Sequence, residues 1–205
     1  MNDNFVSYVD YINESLSSDN GYGCIMLYAD VPDWHKLIRR LVREKDLYHD
    51  PVDKNEYGYE EKPHITLLFG IHDERIIDKG LIYNRIKDIS VMKINVNEVG
   101  VFSNDDSPYD VIKFNVKPSK TLLSLRKSFE EDLPNTQTFP DYHPHMTIAY
   151  VKPGEGKKYE SDLDEPFEVT FTKGVYSYHE KDEDGEVEKK TKKYVFNAGD
   201  DEYKL

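Results

Sequence analysis

The phrase "KPHITLLFG" at 62–70 returns as "HPHMTIAYV" at 143–151. Both contain Pro-His-x-Thr followed by apolar residues, pairing His64 with Thr66 and His145 with Thr147. A strand sends alternate side chains to opposite faces, so each His shares a face with its Thr. The same parity puts Leu68 and Ala149 on that face. It turns Ile65, Leu67 and Phe69, and Met146, Ile148 and Tyr150, toward the packing side. One copy of so short a pattern has little force. Two copies in 205 residues point to two equivalent strands and paired chemistry.

The flanking segments repeat the plan. "CIMLYADV" reads as a buried strand, and Pro32 opens a helix with Trp34, Leu37, Ile38, Leu41 and Val42 on one face. A polar loop containing Tyr48, Tyr57 and Tyr59 then leads to the first His strand, with the loop a conceivable lid over a base. In the second half come the alternating strand "VMKINVNEVGVF", the strand "VIKFNV", and a helix "SKTLLSLRKSFEEDL" with Ser119 as N-cap, before the second His strand. Between the halves "DERIIDKGLIYNRIKDI" reads as a helix weakened in its middle by Gly80. "FEVTFTKGVYSYHE" and "EVEKKTKKYVF" read as closing strands joined by an acidic turn. Helical spacing of Phe5, Tyr8, Val9, Ile12 and Leu16 marks residues 1–21 as an N-terminal helical extension. Residues 22–196 form one bilobal α+β domain, because no Pro-, Gly- or Ser-rich linker divides them, and 197–205 read as a mobile tail.

Charge narrows the partners. The formal net charge is −13, from 40 acidic and 27 basic residues, with no concentrated basic helix. Long nucleic acid is held by basic surfaces that release counterions, so extended RNA or DNA is disfavoured. A small anionic ligand is compatible, because local donors can hold one phosphate within a repulsive field. A single cysteine, Cys24, excludes an internal disulfide and fits a reducing compartment; with no apolar run long enough for a membrane and no secretory signal, the reading is cytoplasmic. Oligomeric state leaves no trace in the sequence.

The paired His-x-Thr phrases resemble the 2H phosphoesterase superfamily, which includes 2′,5′-RNA ligase-like proteins, cyclic phosphodiesterases and phage anti-CBASS nucleases. "VGVFSN…YDVIKFNV" looks like that family's Gly-x-Phe segment and next strand, and "VYSYHE…KKYVF" is similar to its closing hairpin. The resemblance implies a bilobal fold of two pseudo-symmetric antiparallel-sheet lobes with outer helices around a central groove. It implies catalysis by His64 and His145, phosphate binding by Thr66 and Thr147, and no metal or cofactor. Residue chemistry agrees: an imidazole with an ordinary pKa of about 6.5 serves as base when neutral and as acid when protonated. Threonine hydroxyls can donate to charge developing on phosphorus.

Two routes fit: water opening a 2′,3′-cyclic phosphate, or a ribose 2′-hydroxyl attacking its neighbouring phosphodiester. The sequence assigns neither route, nor base and acid between the two histidines. The substrate class is therefore a small nucleotide or cyclic oligonucleotide, with phage evasion of nucleotide immune signals implied by family analogy. RNA-end processing, 2′–5′ linkage cleavage or ligation, and a silent nucleotide sponge remain alternatives. Candidate ligand contacts are Tyr142 and His143 beside the second phrase, Tyr57 and Tyr59 in the loop, and Tyr176 and Tyr178 in the closing hairpin. "HPH" resembles a chelate, but no carboxylate or Cys set accompanies it. Lys62, Lys113 and Lys152 could complement a phosphate, although they read first as solvated lysines, and Cys24 reads as a small core residue.

Overall fold

The computed structural model describes residues 22–52, 57–76, 80–87, 89, 91–136, 142–181 and 187–195. The N-terminal extension and the tail lie outside them. In chain order the elements are β1 (Gly23–Asp30), α1 (Trp34–Leu41), β2 (His64–Ile71), α2 (Gly80–Lys87), β3 (Met92–Phe102), β4 (Asp110–Asn115), α3 (Lys120–Asp132), β5 (His145–Val151), β6 (Ser161–Lys181) and β7 (Val187–Val195). Short 3₁₀ turns sit at Glu44–Asp46, Asp73–Arg75 and Lys157–Tyr159. Among the described residues no helix is long and apolar enough to cross a membrane.

Local sequence explains the elements that frame the groove. On β1 the apolar Ile25 and Leu27 are fully buried, alternating with half-buried Cys24, Met26 and Tyr28 on the other face. Helix α1 buries Trp34 and Ile38, and the Trp34 indole donates to the Glu60 carbonyl at 2.8 Å. Ser119 caps α3 by accepting from the Leu122 amide at 3.1 Å, and α3 buries Leu122 and Phe129. Within the stretch expected to be helical across Gly80, Asp73–Arg75 form a 3₁₀ turn, and the described part of α2 covers Gly80–Lys87.

The strands described here belong to one antiparallel sheet, ordered β2-β1-β6-β3-β4-β5, with β7 paired to β6. The long strand β6 joins the halves. Its Ser161–Phe171 portion pairs with β3, while Thr170–Ser177 pair with β1. The two lobes are thus halves of a single hydrogen-bonded sheet. The ends of the path, β2 and β5, approach each other across the groove.

The halves share register as well as order. In the first, Tyr28 pairs with His64, Met26 with Thr66 and Ile25 with Leu68. In the second, Asn115 pairs with His145, Lys113 with Thr147 and Ile112 with Ala149. Each His strand therefore carries one extra residue, Leu67 or Ile148, at the position directly after its Thr. This bulge corrects the simple alternation expected from sequence. Beyond it parity reverses, so Leu68 and Ala149 turn into the core, at 1% and 0% exposure.

Replacing Ser119 with Ala should remove the α3 cap and lower unfolding free energy by about 1 kcal/mol. Urea titration of both proteins measures it, and unchanged midpoints would show that the cap contributes nothing.

Candidate active site

Each histidine is oriented in the same way. The Nδ1 of His64 lies 2.9 Å from the Lys62 carbonyl, and the Nδ1 of His145 lies 2.9 Å from the His143 carbonyl. A carbonyl oxygen only accepts, so Nδ1 carries the proton in both rings. In the neutral form Nε2 then holds the lone pair, the atom able to take a proton from a nucleophile. Both rings also rest on an aromatic neighbour. His64 stacks on Tyr28, with centroids 5.2 Å apart, and His145 meets the ring of Phe102 edge-on at 4.8 Å.

The two halves differ in the residue paired with each Thr. Opposite Thr66 stands Met26, whereas opposite Thr147 stands Lys113. Lys113, expected from sequence to be solvated, is only 7% exposed. Its ammonium donates to the Asn115 side-chain oxygen and lies 4.3 Å from the Phe102 ring centroid. Burial lowers its pKa, opposed by Glu98 and Glu160. The available signal is a lone Lys inside the apolar strand "VIKFNV". Gly100 makes this packing possible, since a Cβ there would stand 2.7 Å from the Asn115 side chain.

The two imidazoles consequently sit in different fields. Burial pushes His145 down to about 4; the nearby Lys113 and His64 act in the same direction, while the bond to the His143 carbonyl opposes them. His145 is neutral at pH 7. Beside His64, a Glu60 carboxylate oxygen lies 3.9 Å from Nδ1. Thr66 is half-buried and shares a hydrogen bond with the Cys24 thiol; Thr147, at 5% exposure, lies at the floor beside Lys113. Cys24 is thus on the groove face of β1 instead of in the core, and burial pushes its thiol up to about 12, which keeps it an inert thiol.

The remaining sequence candidates divide. Tyr142 reaches from the strand β5 side to donate its hydroxyl to the Thr66 carbonyl at 3.0 Å, with the Arg126 guanidinium 4.3 Å from its ring centroid. It ties one motif to the other. His143 is exposed and serves His145 through its carbonyl. Tyr57 joins Tyr48, Tyr109 and Tyr150 in an aromatic cluster that extends to Phe102, continuing the groove face beyond His145. Two left-handed residues, Tyr57 (φ 70°) and Gly58 (φ 80°), turn the chain there. The next residues run along the edge of β5, where the Glu60 amide donates to the Ile148 carbonyl at 2.9 Å.

Three tyrosines differ from expectation. Tyr59 bridges to Ala149, donates to the Val42 carbonyl at 2.7 Å and faces α1, because its strand-like pairing fixes it against the core side. Tyr176 is fully buried with its hydroxyl on the Asp73 carboxylate, and Tyr178 stacks on it at 5.0 Å. Strand parity explains both: Lys173, Val175 and Ser177 face the groove, so their even-numbered neighbours face the helices. Among the described residues no three His, Cys, Asp or Glu side chains gather into a metal-holding group.

The His145 ring should titrate near pH 4 by NMR, and Lys113→Gln should move that midpoint upward by removing a neighbouring positive charge. A wild-type midpoint at about 6.5 would show an ordinary solvated imidazole instead.

Comparison with known proteins places the geometry. Residues 30–183 match the model of the 2′-5′ RNA ligase superfamily. The crystal structure of TT0787 from Thermus thermophilus is similar at a TM-score of 0.53 and 16% identity, covering 86% of this chain and 98% of that one. Escherichia coli LigT complexed with 3′-AMP is similar at 0.50 and 15% identity, covering 86% and 99%. No curated protein sequence gives a significant match. With a family match across most of its length, and the fold those structures share, the chain belongs to the 2′-5′ RNA ligase superfamily of 2H phosphoesterases.

Proposed function

We propose that this protein is a metal-independent phosphodiesterase in which His145 is the general base and His64 the general acid. The observation that carries the reading is the duplicated register: two His-x-Thr arms, each with the same bulge and the same Nδ1–H to carbonyl bond, set facing one another. The unequal fields support the division of roles. A neutral imidazole beside buried Lys113 is ready to accept a proton, which leaves the acid role to His64, whose Nδ1 lies 3.9 Å from a Glu60 carboxylate oxygen. Thr66, Thr147 and the Lys113 ammonium provide donors and positive charge for the phosphoryl oxygens.

The substrate is a ribonucleotide whose phosphate neighbours a 2′ oxygen. In one route His145 removes a proton from the ribose 2′-hydroxyl, the 2′ oxygen attacks phosphorus, and His64 protonates the leaving 5′ oxygen. That leaves a 2′,3′-cyclic phosphate and a 5′-hydroxyl. In the other route His145 deprotonates water against such a cyclic phosphate, and His64 protonates the departing ribose oxygen. LigT is described with 3′-AMP bound, a ligand with a phosphate at the corresponding ribose position. Cyclic oligonucleotides, including the alarm signals of bacterial immunity, fall in the same chemical class, and their cleavage is the finer form of this reading. The acidic balance of the chain favours short substrates over long RNA.

In EDTA, His64→Ala and His145→Ala should each reduce turnover on the order of 10²–10⁴-fold against a panel of 2′,3′-cyclic nucleotides, 2′–5′ oligoadenylates and cyclic oligonucleotides. The rate should rise with pH as His145 loses its proton near pH 4. Full activity in a folded His145→Ala variant would remove the base assignment. Tight nucleotide binding without turnover, unaffected by either change, would identify a sponge.

A further inference from the structure

The groove face of the sheet is polarised in a way that the two histidines do not require. In the first half, rows of paired residues run outward from the motif across three strands. His64 is followed by Tyr28 and Lys173; Thr66 is followed by Met26, Val175 and Lys193. The next row continues from Cys24 through Ser177 to Thr191, and His179 pairs with Lys189 beyond it. Directly paired antiparallel residues share a face, so Lys173, Lys189 and Lys193 project on the side that carries His64 and Thr66. Two contacts agree with that placement. The Lys173 ammonium lies 5.8 Å from the Tyr28 ring centroid, and Tyr28 is the ring on which His64 stacks. Lys189 acts electrostatically on Cys24, which shares a hydrogen bond with Thr66. Lys189, Thr191 and Lys193 are exposed, and the buried Ser177 hydroxyl beneath them has no hydrogen-bond partner among the described residues.

The second half carries the opposite charge on the corresponding strands. Outward from Thr147 and Lys113 come Gly100 and Glu98, then Asp162 paired with Glu98, and Glu160 near Lys113. Past Lys113 the second half repels a polyanion, whereas past Glu60 at His64 and Asp73 near Cys24 the first half offers the three lysines. In a chain of net charge −13, three lysines aligned with one motif are a local reversal of the global field.

We infer that the β6–β7 hairpin face, through Lys173, Lys189 and Lys193, is a phosphate-tracking subsite for a short oligonucleotide whose scissile phosphate lies between His64 and His145. Three strand spacings separate Thr66 from Lys193, on the order of 14 Å, beyond the single phosphate of a mononucleotide bound at the histidines. The substrate class narrows accordingly to oligonucleotides with phosphates on one side of the cleaved bond, in linear or cyclic form. This inference rests on the site proposed above, and its test separates the two.

The probes are fluorescein-labelled linear and cyclic 2′-O-methyl triadenylates, which lack the attacking hydroxyl, with 3′-AMP as the single-phosphate comparison. Anisotropy and calorimetry over a salt series should show the trinucleotides binding wild type at least tenfold more tightly than 3′-AMP. The Lys189→Ala, Lys193→Ala double variant should lose about tenfold for the trinucleotides, with the slope of log affinity against log salt reduced by roughly 1.4, and stay within about twofold for 3′-AMP. Lys127→Ala, at an exposed lysine that pairs with Glu131 on α3, should change neither. Trinucleotide binding that is unaltered in the double variant overturns the subsite, as does an equal loss for 3′-AMP. Strip-dependent binding without cleavage of the 2′-hydroxyl counterparts would keep the subsite and overturn the catalytic reading; cleavage without strip dependence would do the reverse. Whichever trinucleotide binds more tightly distinguishes a linear end from a ring.

Discussion

Strand β6 is the constraint on which the arrangement depends, because it is hydrogen-bonded to both halves at once. Its first portion pairs with β3 and its second with β1, so each half is built outward from the same backbone. The outermost strands of that single path are β2 and β5, the two that carry the motifs. Sheet twist and the packed helices bring those ends together. The approach is held by side chains that cross it. Tyr142 donates to the Thr66 carbonyl, and Arg126 reaches the Leu67 carbonyl at 3.4 Å. The acceptors belong to Thr66 and to the bulge residue Leu67, so the bonds that hold the approach also satisfy the irregular backbone.

Duplication alone would give two imidazoles in identical surroundings. Residues outside the motifs make those surroundings differ. Lys113 replaces the Met26 of the first half, and Glu60 stands beside His64. A buried ammonium within the low-dielectric floor acts strongly because few waters screen it. The same asymmetry, extended outward, leaves Glu98, Glu160 and Asp162 on one side and Lys173, Lys189 and Lys193 on the other.

Much of the scaffold is legible in the residues. The alternation in β1, the amphipathic spacing of Trp34, Leu37, Ile38 and Leu41, and the Ser119 cap each act within a few positions, where local sterics and burial decide. Less legible are features set by partners distant in the chain. The bulges at Leu67 and Ile148 are invisible to a period-two reading, since an apolar residue there fits either face. Tyr176 reads as a hairpin residue open to ligand, yet parity on β6 and the Asp73 carboxylate put it inside. Tyr59 is placed by its pairing with Ala149 at the edge of β5, far along the chain, and not by its loop composition.

By itself, then, the sequence determined the two His-x-Thr arms, the strand and helix order around them, and an acidic chain. Those properties are set by residue identity and short-range periodicity. Tertiary structure decided which faces the arms present, how Lys113 comes to be buried next to Thr147, and where the scattered lysines of β6 and β7 align. The reason is physical. Electrostatic and packing effects depend on distance and burial, and in an antiparallel sheet both are fixed by register between strands far apart in the chain.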